Sequence, residues 1–169
     1  QNTYNISMNA LTPAYEKEQN DYFIHSALWT ELSSEHLVSH SIIMKKLDLN
    51  TCTIEDAECV SNVAYNLNVE IPCEISGFAG WFTTDFAGSA SNPATKRVVL
   101  STGPEVGYTH WGQQVFYLKE PITCTGTTAT TITGELSMVR QKVNQRLYNM
   151  EFSVQVDTGD KIDYVYEIP

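Results

Sequence analysis

Val63-Ala64-Tyr65-Asn66-Leu67-Asn68-Val69-Glu70-Ile71 alternates apolar and polar side chains along most of its length. The odd-numbered residues, from Val63 to Ile71, are all apolar, whereas polar residues fill every even position after Ala64. In an extended chain successive side chains point to opposite faces, so this stretch presents one apolar face and one mostly polar face. The pattern predicts an antiparallel β-strand with one face on a core and the other in water.

The same alternation recurs through the rest of the chain. Phe78, Gly80, Phe82, Thr84 and Phe86 repeat it, and the Ser-, Asn- and Pro-rich residues 88–95 are predicted to form the following loop. Further strands are predicted at residues 97–102, 111–118, 130–139, 146–156 and 162–168. About seven short strands separated by turn signals indicate a mainly β fold. We therefore expect an antiparallel β-barrel of two sheets, jelly-roll-like, with short helices.

The N-terminal stretch does not share this pattern. Thr12 and Pro13 predict a helix start with Thr12 as N-cap, and residues 33–37 and 53–56 predict two further capped turns. A small apolar set precedes the helix and is too short to form a core: Tyr4, Ile6, Met8 and Leu11. We expect this set to dock on another surface.

Composition limits the class of protein. The 169 residues are 42% hydrophobic and 18% charged, which fits one folded domain, and no run approaches the length of a membrane span. Ten basic and twenty acidic residues give a net charge of -10, which disfavours nucleic acid as a partner. The cysteines lack disulfide-framework or zinc spacing, so we expect free thiols and a reducing compartment, the cytoplasm or the nucleus or both.

Most catalytic and cofactor signatures are missing from the sequence. It contains no GxGxxG, no GxxxxGK[ST] and no GxSxG motif, so neither a nucleotide cradle nor a nucleophile elbow is predicted. His36 and His40 have the spacing of two metal ligands on a helix, but no third ligand is placed by sequence, and we expect no metal site. Aromatic side chains on a β framework leave open a sugar-stacking platform, with a lectin-like β-sandwich using Trp81, Trp111 and exposed tyrosines.

One segment points to a site. After the strand that ends near Thr102, a Gly- and Pro-containing loop leads to Thr109-His110-Trp111 at the start of the next strand. This arrangement presents an imidazole and an indole together at the rim of the predicted barrel. The alternative is a histidine held by local hydrogen bonds beside a buried tryptophan.

These residues resemble a known family. The run Ser101-Thr102-Gly103-Pro104, followed by Thr109-His110-Trp111 and Gln113, resembles the signature of the C-terminal β-barrel domain of protein arginine methyltransferases. Residues 77–82 with Phe86, and residues 4–8, resemble two further segments of that domain. The plant subfamily usually numbered ten is the most similar, through residues 112–116 and these positions: Leu11, Thr12, Pro13, Glu16, Glu18, Gln19, Tyr22, Ile24, Ala27 and Trp29.

The resemblance implies an enzyme assembled from more than this chain. Family members transfer a methyl group from S-adenosylmethionine to protein arginines, and they bind this cofactor in an N-terminal Rossmann-type domain that also supplies two catalytic glutamates. We expect that domain to lie N-terminal to residue 1, so this chain alone is expected to bind no cofactor and to be inactive.

The resemblance also assigns roles to residues. The Thr109-His110-Trp111 segment, called here the Thr-His-Trp loop, would contact the substrate arginine, with His110 as the candidate catalytic residue. Tyr4, Ile6, Met8 and Leu11 would form a dimerisation arm that docks on a second subunit in a homodimer. Residues 1–30 are then the arm remnant and its helix, and residues 31–169 the substrate-binding barrel.

The function expected from this resemblance is that of the substrate-binding and dimerisation domain of a type I-like protein arginine N-methyltransferase. Its partners would be arginine-containing protein substrates, its own cofactor domain and a second copy of the enzyme, with no membrane involved. Two alternatives stay open: the lectin-like binding module and a regulatory paralogue without catalytic activity.

Overall fold

The structure is a computed structural model that describes residues 7–168. Within this range the chain forms two α-helices and nine β-strands, with three short 3₁₀ turns between them. In chain order the elements are α1 (Thr12–His25), β1 (Leu28–Thr30), α2 (Ile54–Glu58), β2 (Val60–Val69), β3 (Cys73–Gly80), β4 (Thr83–Gly88), β5 (Pro93–Ser101), β6 (Gln113–Cys124), β7 (Thr130–Arg140), β8 (Tyr148–Val156) and β9 (Lys161–Ile168).

Two antiparallel sheets enclose the core, as the alternating pattern predicts. One has the strand order β2-β7-β8-β9, the other has the order β1-β6-β3, and β4 and β5 form a separate hairpin. Rings from the two sheets meet between them: the ring centroids of Phe116 and Phe152 lie 5.1 Å apart, and those of Phe78 and Phe152 lie 5.3 Å apart. The backbone N–H of Ala27 donates to the carbonyl of Glu167 at 2.9 Å, which ties the chain entering β1 to β9 of the other sheet. The predicted mainly β, two-sheet architecture is confirmed.

Strand β2 contains most of the alternating stretch at residues 63–71. Tyr65 and Val69 are buried, whereas Ala64, Asn66 and Asn68 are exposed. The strand ends at Val69, so Ile71, predicted on the buried face, lies beyond it and is 50% exposed.

The prediction of one continuous alternating strand from Phe78 to Phe86 is wrong. The chain leaves β3 after Gly80 and pairs again only from Thr83, with β5 instead of β6. The cause lies at Phe82, whose backbone N–H and carbonyl both hydrogen bond to Thr102 at the end of β5. This bonding draws the chain out of the β1-β6-β3 sheet and into the β4-β5 hairpin.

The loop predicted at residues 88–95 is shorter than expected. The backbone groups of Ser89 and Asn92 hydrogen bond to each other in both directions, at 3.0 and 3.2 Å. Such a tight connection allows pairing to resume at once, and β5 therefore begins at Pro93. Strand β6 is also displaced from its predicted bounds: it begins at Gln113 and continues to Cys124.

At the N-terminal end, Thr12 is a helical residue and not the N-cap. A 3₁₀ turn at Asn9–Leu11 runs directly into α1, and the backbone N–H of Thr12 donates to the carbonyl of Asn9. The capped turns predicted at residues 33–37 and 53–56 are confirmed, each with a reciprocal capping box. No helix within residues 7–168 is long and apolar enough to cross a membrane.

Two of the four predicted arm residues can be located. Met8 and Leu11 precede α1 and are 63% and 56% exposed. Tyr4 and Ile6 lie outside the described residues.

Candidate functional site

The Thr-His-Trp loop lies immediately before β6, as predicted. It is a tight turn in which the backbone N–H of Gly112 contacts both the carbonyl and the side-chain oxygen of Thr109, each at 3.2 Å. A threonine at the first position of a turn commonly closes it in this way. His110 and Trp111 therefore occupy the middle of the turn, where their side chains project from the end of the barrel.

Trp29 of β1 fixes the far side of this turn. Its indole Nε1 donates to the carbonyl oxygen of Trp111 at 2.6 Å. A Cβ on Gly112 would lie 2.6 Å from the same Nε1, and the φ of Gly112 is +55°. Both the close approach of the indole and the left-handed backbone require glycine here.

Gln113 fixes the base of the loop from inside the protein. Its side chain is only 2% exposed. The side-chain oxygen accepts from the backbone N–H of Leu32 at 2.8 Å, and the amide nitrogen donates to the carbonyl of Thr102 at 2.8 Å. The side chain thus bridges the segment after β1 and the end of β5. A buried amide with both ends bonded to backbone holds the two segments in a single arrangement.

Thr102 connects this network to the hairpin. It is fully buried, and its hydroxyl donates to the carbonyl of Phe82 at 3.0 Å. The ring of Phe82 in turn meets the ring of Trp111 edge-on, with centroids 5.8 Å apart. Each end of the loop is therefore attached to residues that are distant in sequence.

The two candidate side chains of the loop are open to solvent. His110 is exposed and Trp111 is 53% exposed. Within residues 7–168 no side chain hydrogen bonds to the His110 imidazole. The alternative of a histidine beside a buried tryptophan is therefore wrong, because both side chains are exposed and the hydrogen bonds at the loop are made by its backbone.

A shallow groove of about 460 Å³ lies beside the loop. Its walls come from the segment after β1 and from the 3₁₀ turn after β5: Glu31, Leu32, Ser33, Ser34, His36, Pro104, Glu105 and Gly107. Two carboxylates, Glu31 and Glu105, line it, and Ser101 donates to a carboxylate oxygen of Glu105 at 2.6 Å. The groove therefore carries two carboxylates, on segments that lead into the loop or are bonded to its base.

His36, considered above as a metal ligand, lines the groove, but its imidazole is engaged in a local turn. The backbone N–H of Ser33 donates to Nδ1 of His36 at 3.2 Å, as part of a capping box. No group of three or more His, Cys, Asp or Glu side chains with metal-binding geometry occurs in the described part of the chain.

Trp29 and Leu32 are the site residues that motif reasoning from composition and spacing did not assign. Leu32 contributes only a backbone N–H, which no sequence pattern reveals. Trp29 is among the positions shared with the plant subfamily, and that resemblance was the only available signal for it.

Comparisons with known proteins identify relatives of this chain. The family model for the arginine methyltransferase oligomerization subdomain matches residues 1–161. The chain is 37% identical over 155 residues to protein arginine N-methyltransferase PRMT10 of Oryza sativa subsp. japonica, covering 90% of this chain and 40% of the relative. Identity to PRMT10 of Arabidopsis thaliana is 34% over 155 residues, with the same coverage. The chain thus spans about 40% of the length of the curated relatives it matches.

Solved structures show the same fold. The crystal structure of Arabidopsis thaliana protein arginine methyltransferase 10, described as a uniquely open conformation, matches with a TM-score of 0.81 and 29% identity. That match covers 99% of this chain and 49% of the other. A Trypanosoma brucei PRMT1 enzyme-prozyme heterotetrameric complex with AdoHcy matches with a TM-score of 0.68 at 19% identity, over 87% of this chain and 44% of the other.

Proposed function

The chain belongs to the protein arginine methyltransferase family, and on that premise we propose that it is the substrate-binding and dimerisation domain of such an enzyme. The observation that carries the proposal is the Thr-His-Trp loop: its backbone is bonded to Trp29 while the imidazole and indole remain exposed at the end of the barrel. A rigid backbone with free functional side chains is the arrangement expected of an active-site wall.

The chemistry of arginine defines what such a wall has to do. A guanidinium remains protonated at any working pH, so a nucleophilic nitrogen requires carboxylates that localise its charge on the other nitrogens. In this proposal those carboxylates belong to another part of the enzyme. His110 pairs with an acidic group there and keeps the wall in position, while Trp111 lines the space that the arginine side chain enters.

In this proposal the described residues do not hold S-adenosylmethionine. All strand pairings between the named elements are antiparallel, and no strand within residues 7–168 leads through a glycine-rich turn into a helix. Dinucleotide and nucleoside cofactors of this type are held by such a unit. The cofactor would therefore be bound outside this chain, and no step of the reaction is assigned here to residues that contact it.

Charge supports a cationic substrate. Glu31 and Glu105 line the groove beside the loop, and the whole chain carries a net charge of -10. A negative surface attracts arginine-rich segments and speeds their encounter with the site. The substrates in this proposal are arginine-containing proteins, and the groove is where the residues flanking the arginine pass.

The dimerisation role rests on the apolar residues before α1. Met8 and Leu11 are more than half exposed, although burial of a large apolar side chain contributes about 1.5–3 kcal/mol. In this proposal residues 1–30 form the arm and its helix, and residues 31–169 form the barrel. The arm of each subunit docks on the cofactor domain of the other, which makes a homodimer.

The test is methyl transfer from labelled S-adenosylmethionine to an arginine-rich peptide. We expect transfer by the full-length protein that carries this chain and none by the 169 residues alone. Calorimetric titration of the isolated chain with S-adenosylmethionine should give no binding isotherm. A full-length protein without methyl transfer, or micromolar cofactor binding by the chain alone, would contradict the proposal.

A further inference from the structure

Two cysteines face each other across the sheet that carries the Thr-His-Trp loop. Cys73 is the first residue of β3, Cys124 is the last residue of β6, and the two are direct partners in the antiparallel register. The Cα atoms of such partners lie about 4.5–5.5 Å apart, within the range of about 4.4–6.8 Å that a disulfide spans. Their backbone positions therefore suit a covalent link.

Both side chains point to the same face, because opposed residues in a ladder share a side of the sheet. Cys124 is 3% exposed and belongs to the core, and the partly buried Cys73 packs against that core. Burial raises the pKa of the Cys73 thiol, and the neighbouring Cys124 thiol raises it further. Because Cys73 is more exposed than Cys124, a small oxidant reaches the sulfur of Cys73 first, and the sulfur of Cys124 lies deeper in the core.

The surrounding chain holds the pair at a corner of the barrel. Residues 70–72 lead from β2 in one sheet to β3 in the other, and residues 125–129 lead from β6 back to β7. The two connections touch: a Cβ on Gly126 would lie 2.6 Å from the Pro72 ring, and the φ of Gly126 is +71°. The contact between the two connections holds the strands together on one side of the cysteines, and the pairing of β3 with β6 holds them on the other.

We propose that Cys73 and Cys124 form a reversible intramolecular disulfide when the protein meets hydrogen peroxide. The thiolate of Cys73 attacks the peroxide O–O bond and becomes a sulfenic acid, and the oxygen of the leaving group departs as water. The thiolate of Cys124 then attacks that sulfur, the S–S bond forms, and the sulfenic oxygen leaves as a second water. The two thiols together lose two protons and two electrons, and the hydrogen peroxide is reduced to two molecules of water.

This modification would link β3 to β6 within one sheet, at the end of β6 opposite the Thr-His-Trp loop, and it does not depend on methyl transfer. A cross-link between residues 73 and 124 closes a long loop of chain in the unfolded state, which favours the folded state. The oxidised protein should therefore melt at a higher temperature than the reduced protein.

The direct experiment is digestion of the peroxide-treated protein without reductant, followed by mass spectrometry. We expect one linked peptide pair that joins Cys73 to Cys124, lighter by two hydrogens and released by dithiothreitol. The reaction should be faster at pH 9 than at pH 7, because a raised thiol pKa leaves less thiolate at neutral pH. Cys73 recovered only as sulfenic or sulfinic acid, or linked only to Cys52 or Cys59, would overturn the proposal.

Cysteine variants distinguish the effect of oxidising the Cys73–Cys124 pair from the effect of oxidising the other two thiols. Cys73→Ser should abolish both the linked peptide and the rise in melting temperature on oxidation. The matched control is Cys59→Ser, because Cys59 is an exposed cysteine outside the pair, and it should retain both effects. An oxidation-dependent rise that persists in Cys73→Ser would contradict the assignment, and mapping of the wild-type protein decides the question without any variant.

Discussion

The indole nitrogen of Trp29 donates a hydrogen bond to the carbonyl oxygen of Trp111 across 82 residues of sequence, at 2.6 Å. Trp29 belongs to β1, only four residues after the end of α1, and Trp111 belongs to the Thr-His-Trp loop. The helix that follows the proposed arm is therefore connected to the proposed substrate site through one short strand. In the proposed enzyme, arm docking and the geometry of the substrate site would share this connection.

Removal of the hydrogen-bond donor of Trp29 should loosen the Thr-His-Trp loop while an aromatic ring remains at position 29. In Trp29→Phe the carbonyl of Trp111 loses its partner, and we expect a loss of about 1 kcal/mol in the free energy of unfolding. A looser wall should also lower kcat/KM of the full enzyme by about tenfold, because small misplacements at a site are costly. The measurements are urea denaturation and steady-state kinetics, and kinetics equal to wild type would show that the contact serves stability alone.

The buried amide of Gln113 should matter more for stability. Gln113→Leu leaves the N–H of Leu32 and the carbonyl of Thr102 without partners, and each buried orphan costs about 1–3 kcal/mol. We expect a loss of about 2 kcal/mol or more in urea denaturation. Gln114→Leu is the matched control, since the side-chain oxygen of Gln114 has no hydrogen bond within residues 7–168. Equal losses in the two variants would contradict the bridging role.

Two buried tyrosine hydroxyls should lower the free energy of unfolding at alkaline pH. The hydroxyls of Tyr65 and Tyr166 donate to the carbonyls of Ser153 and Tyr117, at 2.8 and 2.7 Å. Burial raises the pKa of both phenols well above the ordinary value of about 10 that applies in the unfolded chain. Above about pH 10 the unfolded chain therefore loses these protons while the folded protein keeps them, and the free energy of unfolding falls as pH rises.

The pH dependence can be assigned to a residue. Each phenol contributes a slope of up to about 1.4 kcal/mol per pH unit in that window. Tyr65→Phe should remove its share of the slope between pH 10 and 12, and Tyr166→Phe should remove the other share. Denaturation curves at several pH values provide the measurement, and an unaltered slope in Tyr65→Phe would contradict the argument.

The proposed arm can be tested by removing its apolar surface. Replacement of Ile6, Met8 and Leu11 together by Ser in the full-length protein should convert a head-to-tail dimer, closed by two equivalent contacts, into monomers. Activity should fall in parallel, since the arm braces the cofactor domain of the partner in this proposal. Light scattering measures the mass, and a triple variant that remains a dimer would show that the arm is assigned wrongly.

The sequence predicts well where local pattern determines structure. The alternation around Tyr65 locates β2, and the turn signals before Gln113 place the Thr-His-Trp loop at the start of β6. Prediction from the sequence fails where contacts between residues distant in the chain determine the structure. The alternation from Phe78 to Phe86 continues without a break, yet Thr102 interrupts the strand by bonding to Phe82.

The contacts that hold the Thr-His-Trp loop also come from residues distant in sequence. A strand of three residues, such as β1, leaves almost no periodic signal, and its pairing with β6 spans more than 80 residues. The bond from Trp29 to Trp111 cannot be predicted from spacing for that reason. The resemblance identified the loop itself, but only the structure reveals what holds it.

Steady-state kinetics of His110→Ala in the full-length protein, with an arginine-rich peptide as substrate, tests the central claim most directly. If the Thr-His-Trp loop is the substrate wall, kcat should fall by about 10²-fold or more while the affinity for S-adenosylmethionine stays at the wild-type value. The control His40→Ala changes another exposed histidine and should behave as wild type. A kcat for His110→Ala within a few-fold of wild type would contradict the account, because the loop would then be structural only.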